Sequence, residues 1–185
     1  MIETKANAIS SSKTKKMVLA SLFTALTCIA TSVIQIKQPF SLTEGYINLG
    51  DAFIILSALF LGPLYGGLAG GLGSMLADIF LGYMQYAPAT FIIKGLAGVL
   101  CGLFFKYISK KVSSVKIKLL FVILAGVISG IIVTLGYFLY EGAILYGYTA
   151  ALTSIPGNIV QNLFGIILSS LLYPIINKIE DSLSQ

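Results

Sequence analysis

Long apolar runs separated by short polar turns divide this chain into six segments, at about 16–36, 47–61, 63–82, 87–107, 117–140 and 152–176. Most are about 20 residues long, the length an α-helix needs to cross a bilayer core of about 30 Å. The second is shorter, and Gly62-Pro63 separates it from the third. Proline lacks an N–H and cannot continue a helix, so a Gly-Pro pair reads as a break. The pattern predicts an all-α integral membrane bundle of six transmembrane helices.

The lysines decide between six spans and a version in which the second and third fuse. Lys5, Lys13, Lys15 and Lys16 precede the first span, while Lys106, Lys110, Lys111, Lys116 and Lys118 surround the turn after the fourth. Positive loops stay on the cytoplasmic side, so an even number of spans must separate the two clusters. Four do; three do not. Lys178 follows the sixth span on the same side, and both termini are expected in the cytoplasm. Residues 1–185 then form a single membrane domain, with 1–15 as a cytoplasmic tail and 16–178 as the bundle. The tail lacks a cleavage signature, so the first helix is expected to remain in the mature protein. Three loops should face outside, at 37–46, 82–88 and 141–148, each with tyrosine and glycine.

Composition sharpens this picture. The chain is 57% hydrophobic and 10% charged, with a mean hydropathy of +0.94, which excludes an ordinary soluble domain. The net charge of +5 comes with 12 basic residues, all lysine, and reports orientation rather than nucleic-acid binding. There is no histidine, which removes the commonest catalytic base and metal ligand. No Gly-Lys-Ser/Thr phosphate loop is present, so ATP hydrolysis, if used, belongs to a partner. Cys28 and Cys101 lie in apolar runs without metal spacing and read as packing residues. Neither a metal, a cofactor nor an enzymatic activity is expected.

Against this background the buried ionisable groups stand out. A charge in hydrocarbon costs a few kcal/mol or more, yet Asp51, Asp78, Lys94 and Glu141 sit in or beside apolar runs. At about 1.5 Å per residue, all four fall in the outer half of the bundle, with Tyr137, Asn158, Gln161 and Asn162. That asymmetry predicts a pocket open to the outside and closed below. Each residue keeps two readings. Lys94 either pairs with Asp78 or contacts a ligand. Asp51 either caps the second span or lines the pocket. Glu141 is either solvated at the interface or part of the site. Asn158, Gln161 and Asn162 share one helix face and either glue helices together or line the pocket. Glycines in spans three to five, such as Gly66, Gly70, Gly98 and Gly126, read as internal packing. In span one, Ala20 with Thr24 and Ser21 with Ala25 form a small surface that could pack internally or receive another membrane protein.

Six spans in under 200 residues, with the runs Leu19-Ala-Ser-Leu-Phe-Thr-Ala-Leu26, Tyr46-Ile-Asn-Leu-Gly-Asp-Ala-Phe53, Leu61-Gly-Pro63, Tyr86-Ala-Pro88, Ile93-Lys-Gly95 and Ile155-Pro-Gly-Asn-Ile-Val-Gln161, resemble the S component of an energy-coupling factor (ECF) transporter. The resemblance covers essentially the whole chain and is nearest the riboflavin-type branch, which includes pyridoxine and hydroxymethylpyrimidine binders. It implies a non-catalytic, multi-pass subunit of the bacterial plasma membrane that binds a vitamin or precursor from outside. Its implied partners are a transmembrane coupling subunit and two ATPases, with delivery by toppling in the membrane. Carried over residue by residue, it points to Glu44, Tyr46, Asn48, Tyr86, Lys94, Tyr137, Asn158 and Gln161 as ligand contacts. Ala20, Ser21, Thr24 and Ala25 become the docking surface, although the family's Ala-x-x-x-Ala is here split between two pairs. A pyridoxine- or hydroxymethylpyrimidine-like ligand is expected, with riboflavin as the alternative. A standalone gradient-driven transporter is the reading from another class.

Overall fold

The structure, a computed structural model, describes residues 2–183 apart from Pro39, Lys110, Lys111 and Ser113, so two of the lysines used for orientation lie outside the described residues. Helix α1 (Ile2–Val33) leads into a short antiparallel hairpin of β1 (Gln35–Lys37) and β2 (Tyr46–Asn48). Then follow α2 (Gly50–Leu61), α3 (Pro63–Leu81), α4 (Ala87–Ser109) and α5 (Val115–Tyr140). Helix α5 runs on into a π-helical turn, Glu141–Leu145, and the chain closes with short α6 (Tyr148–Leu152) and long α7 (Ile155–Leu183).

Among the described residues, five stretches are long and apolar enough to cross a membrane: Lys13–Val33, Pro63–Leu81, Ala87–Ser109, Lys116–Leu145 and Tyr148–Lys178. The second predicted segment is different. Helix α2 has 12 residues, nine of them buried, and its length of about 18 Å falls short of a bilayer core. A helix apolar on all sides belongs inside a bundle, and α2 packs against α1, α3, α4 and α7. The break after it is as expected: Gly62 takes φ 83° and Pro63 opens α3.

Glycine lets α3 approach its neighbours closely. A Cβ on Gly66 would stand 2.3 Å from Ala58 Cα of α2, and one on Gly98 would stand 2.9 Å from Gly67 Cα. These contacts bear out the reading of the glycines as internal packing. Below the polar end, Ile55, Leu56, Ala58, Ala69, Cys101, Val122 and Ala125 form one apolar core. Cys101 is buried there as a packing residue. Outward-facing Leu, Ile and Phe of α5 and α7 are exposed, as a lipid-facing surface requires.

The hairpin has no counterpart in the sequence reading, which ran the first span to 36 and began the second at 47. Its register pairs Gln35 with Asn48, Ile36 with Ile47 and Lys37 with Tyr46. This pairing folds residues 38–45 back over the end of the bundle.

Candidate functional site

One cavity collects polar side chains from nearly every element, and all eight predicted contacts line it: Glu44, Tyr46, Asn48, Tyr86, Lys94, Tyr137, Asn158 and Gln161. Glu44, Tyr46 and Asn48 come from the hairpin and its loop. Tyr86 and Lys94 lie at the start of α4, Tyr137 at the end of α5, and Asn158 and Gln161 at the start of α7. The cavity holds about 470 Å³ of empty space. The opposite ends of α2 and α4 border a separate hollow with Lys16 and Lys106. Cavity and lysine fringe therefore occupy opposite ends of the bundle.

Two polar groupings make up the cavity. In the first, Lys94 Nζ forms an ion pair with Asp51 Oδ1, and both side chains are 4% exposed. Gln161 Nε2 donates to Asp51 Oδ2 at 2.8 Å. Gln161 Oε1 accepts from the backbone N–H and the amide of Asn48, each at 3.0 Å. Asn48 Oδ1 in turn accepts from Gly50 N–H at 2.9 Å. Three helices, α2, α4 and α7, are thus joined through one satisfied network.

This network corrects two expectations. Lys94 pairs with Asp51, not with Asp78. Asp51 does not cap α2; the amide of Asn48 bonds the first N–H of that helix, leaving Asp51 free for the lysine.

The second grouping is built on tyrosines. Tyr46 Oη donates to Asp78 Oδ1 at 2.7 Å, while Asp78 Oδ2 is buried with no hydrogen-bond partner. Tyr86 Oη donates to Glu141 Oε1 at 3.0 Å, and Ser154 Oγ to Glu141 Oε2 at 2.5 Å. Glu141 is only 2% exposed, which corrects the solvated reading: the π-helical turn carries it inward. Thr90 Oγ1 and Tyr137 Oη share a hydrogen bond of 2.9 Å. Ring centroids run from Tyr46 to Tyr83 (5.0 Å), on to Tyr86 (6.4 Å), and from there to Tyr137 (6.3 Å) and Tyr140 (6.0 Å). Burial, then the charge of Asp78, pushes the Tyr46 phenol above its ordinary pKa. Burial, then Tyr146 and Glu141, does the same to Tyr86. Both therefore stay O–H donors at neutral pH.

The loop over the cavity is tied at three points. Gln85 Nε2 donates to Glu44 Oε2 at 2.6 Å. Leu42 N–H donates to Thr153 Oγ1 at 2.8 Å. The Gln38 side chain lies against Gly157 of α7. The sequence reading left Asp78 and Glu141, which line the cavity, off the ligand-contact list, although it singled them out as anomalous. Thr90 and Tyr83 were missed, and Thr90 stands one turn before Lys94. Asn162 turns away from the cavity and bonds Gly130 O at 3.0 Å and Thr134 Oγ1 at 2.9 Å. The three amides thus split, two lining and one joining helices.

The model of the family described as "ECF-type riboflavin transporter, S component" matches residues 11–178. The chain belongs to this family. As an S component it is the substrate-binding subunit of a transporter rather than an enzyme, and a multi-pass protein of the cell membrane. A Pyrococcus woesei protein, "Uncharacterized protein in gap 3'region", is 36% identical over 150 residues, covering 81% of this chain and 95% of the relative. The thiamine precursor transporter HmpT of Lactococcus lactis is 26% identical over 165 residues, 89% of each chain. A solved S component of a bacterial ECF transporter superposes with a TM-score of 0.67 at 21% identity, covering 90% of this chain and 98% of that one. At that identity the likeness speaks for the fold.

Proposed function

We propose that this S component binds one vitamin precursor in the tyrosine-lined cavity, from the outer side of the membrane, and hands it to an ATP-driven module. The observation that carries the reading is the convergence of all eight candidate contacts on a single cavity at the end opposite Lys16 and Lys106. The positive-inside rule then sets the cavity outside and both termini in the cytoplasm, with α2 counted as the short member of six spans. The relative that carries thiamine precursors supports a hydroxymethylpyrimidine-like ligand over a pyridoxine-like one.

A standalone gradient-driven transporter fits less well. Beneath the Asp51–Lys94–Gln161 layer lies the apolar core of Ile55, Leu56, Val122 and Ala125, where an ion or proton route would need polar groups.

Docking of the coupling subunit, which would bring two ATPases, is assigned to the small face of α1. Ser21 and Ala25 are exposed there, and Ala20 and Thr24 are half-buried. The hydroxyls of Ser21 and Thr24 bond back to Met17 O and Ala20 O at 3.0 and 2.8 Å, leaving a face without unmet donors. An Ala25→Trp variant should bind ligand like the parent but lose uptake in cells supplying the ATPase module; normal uptake would remove this face from the docking role.

Mass spectrometry of small molecules released from the detergent-purified protein tests the main reading. A stoichiometric vitamin or precursor is the expected result. An empty protein that also ignores a vitamin panel in calorimetry would overturn it.

A further inference from the structure

In and beside the cavity, most polar capacity is already spent. Asp51 uses both oxygens, on Lys94 and Gln161, and Gln161 uses both ends of its amide. Asp78 is different. It is 4% exposed, it lines the cavity, and its Oδ1 accepts from the Tyr46 phenol, with the Thr90 hydroxyl close by. The other oxygen has no partner. A buried carboxylate in this state is costly unless a donor arrives to complete it. The cavity's single lysine is already paired with Asp51, so the donor must come with the ligand.

We propose that Asp78 determines specificity by accepting N–H bonds from the ligand through its bare Oδ2, and that the ligand is a flat heteroaromatic ring with an amino group beside a ring nitrogen. The proposal rests on the S-component reading above and narrows its substrate class. The amino group and the adjacent protonated ring nitrogen form a two-donor edge, and a carboxylate accepts such an edge through parallel, charge-assisted bonds. The charge then balances, because Asp51 has Lys94 and Asp78 gains the ligand. The ring faces of Tyr46, Tyr83, Tyr86 and Tyr137 suit a flat aromatic. Glu141, whose two oxygens already hold Tyr86 and Ser154, acts by positioning that wall. A ring edged with carbonyl oxygens would meet the bare carboxylate as one acceptor meeting another.

The test is calorimetry on the purified full chain with four probes: 4-amino-5-hydroxymethyl-2-methylpyrimidine, its 4-oxo counterpart, pyridoxine and riboflavin. The parent should prefer the amino over the oxo ring by about a hundredfold, the scale of a lost hydrogen bond to a charged group. Asp78→Asn keeps the shape and the oxygen that Tyr46 bonds, but replaces the bare oxygen with an NH₂ donor. It should lose about a hundredfold for the amino ring and lose the preference over the oxo ring. A parent that binds pyridoxine, riboflavin or the oxo ring as well as the amino ring overturns this inference and leaves the S-component reading standing. So does an Asp78→Asn variant that keeps the amino preference. Should that variant not fold, the parent's ranking of amino against oxo ring decides alone. A parent that binds none of the four and releases no small molecule on denaturation overturns both.

Discussion

Asp51 and Asp78 are almost equally buried, at 3% and 4% exposure, on the adjacent helices α2 and α3, yet only Asp78 lines the cavity and their surroundings are opposite. Asp51 has a cation on one oxygen and an amide on the other. Asp78 has one phenol and an empty side. A buried charge removed from water must be compensated, and the chain does so fully at one aspartate and partly at the other. The difference separates a carboxylate that holds the bundle together from one left open for something that comes and goes.

Lys94→Ala should break the comparison most severely. It strands Asp51 without its cation, and breaking a buried pair from one side costs about 3–5 kcal/mol. A lysine that served only as a ligand donor could be lost without harm to the fold. The ion pair instead predicts that thermal stability in detergent falls together with binding, and that adding Asp51→Asn restores much of the stability. An unchanged melting temperature in the single variant would separate Lys94 from the bundle's integrity.

Gln161→Leu comes next. It removes a donor from Asp51 and an acceptor from Asn48, leaving buried groups unpaired, at about 1–3 kcal/mol. The loss should appear in thermal melts even without ligand. Gly157→Ala acts on the loop instead. Its Cβ would meet only the end of the Gln38 side chain, at 2.1–2.5 Å, which can swing away. Stability should stay within about 0.5 kcal/mol, while ligand dissociation in stopped-flow quickens several-fold as the loop loosens. The smallest effect on stability belongs to Asp78→Asn. Removing a half-satisfied buried charge should leave the ligand-free melting temperature unchanged or slightly raised, although binding suffers. A large destabilisation there would make the two aspartates alike.

The long helices were legible because a lipid-facing or buried helix must be apolar over its whole length, and α3 to α5 and α7 are. The break at Gly62-Pro63 was legible from backbone chemistry alone. The hairpin was not, since Gln35-Ile-Lys37 is too short to show an alternating pattern and continues an apolar run. Helix α2 was legible as an apolar, buried segment, but composition does not say whether what surrounds it is lipid or protein. Convergence of the eight contacts followed from depth: polar residues near one end of a bundle have few other places to go. Pairing did not follow, because Asp51 and Asp78 lie at similar depth. Only the rotation of α2 against α4 and α7 brings Lys94 to the first. Glu141 was misjudged because nothing in Tyr140-Glu141-Gly142 announces the wider π-helical turn that directs it inward.

The linked tyrosine rings carry an optical consequence. The protein has ten tyrosines and no tryptophan, and five of them, Tyr46, Tyr83, Tyr86, Tyr137 and Tyr140, form one connected set around the cavity. With no indole to drain their excitation, light absorbed by any of the five passes among them. A ring stacking on one member would dim the emission of the whole set, so the molecule carries its own unlabelled reporter of occupancy.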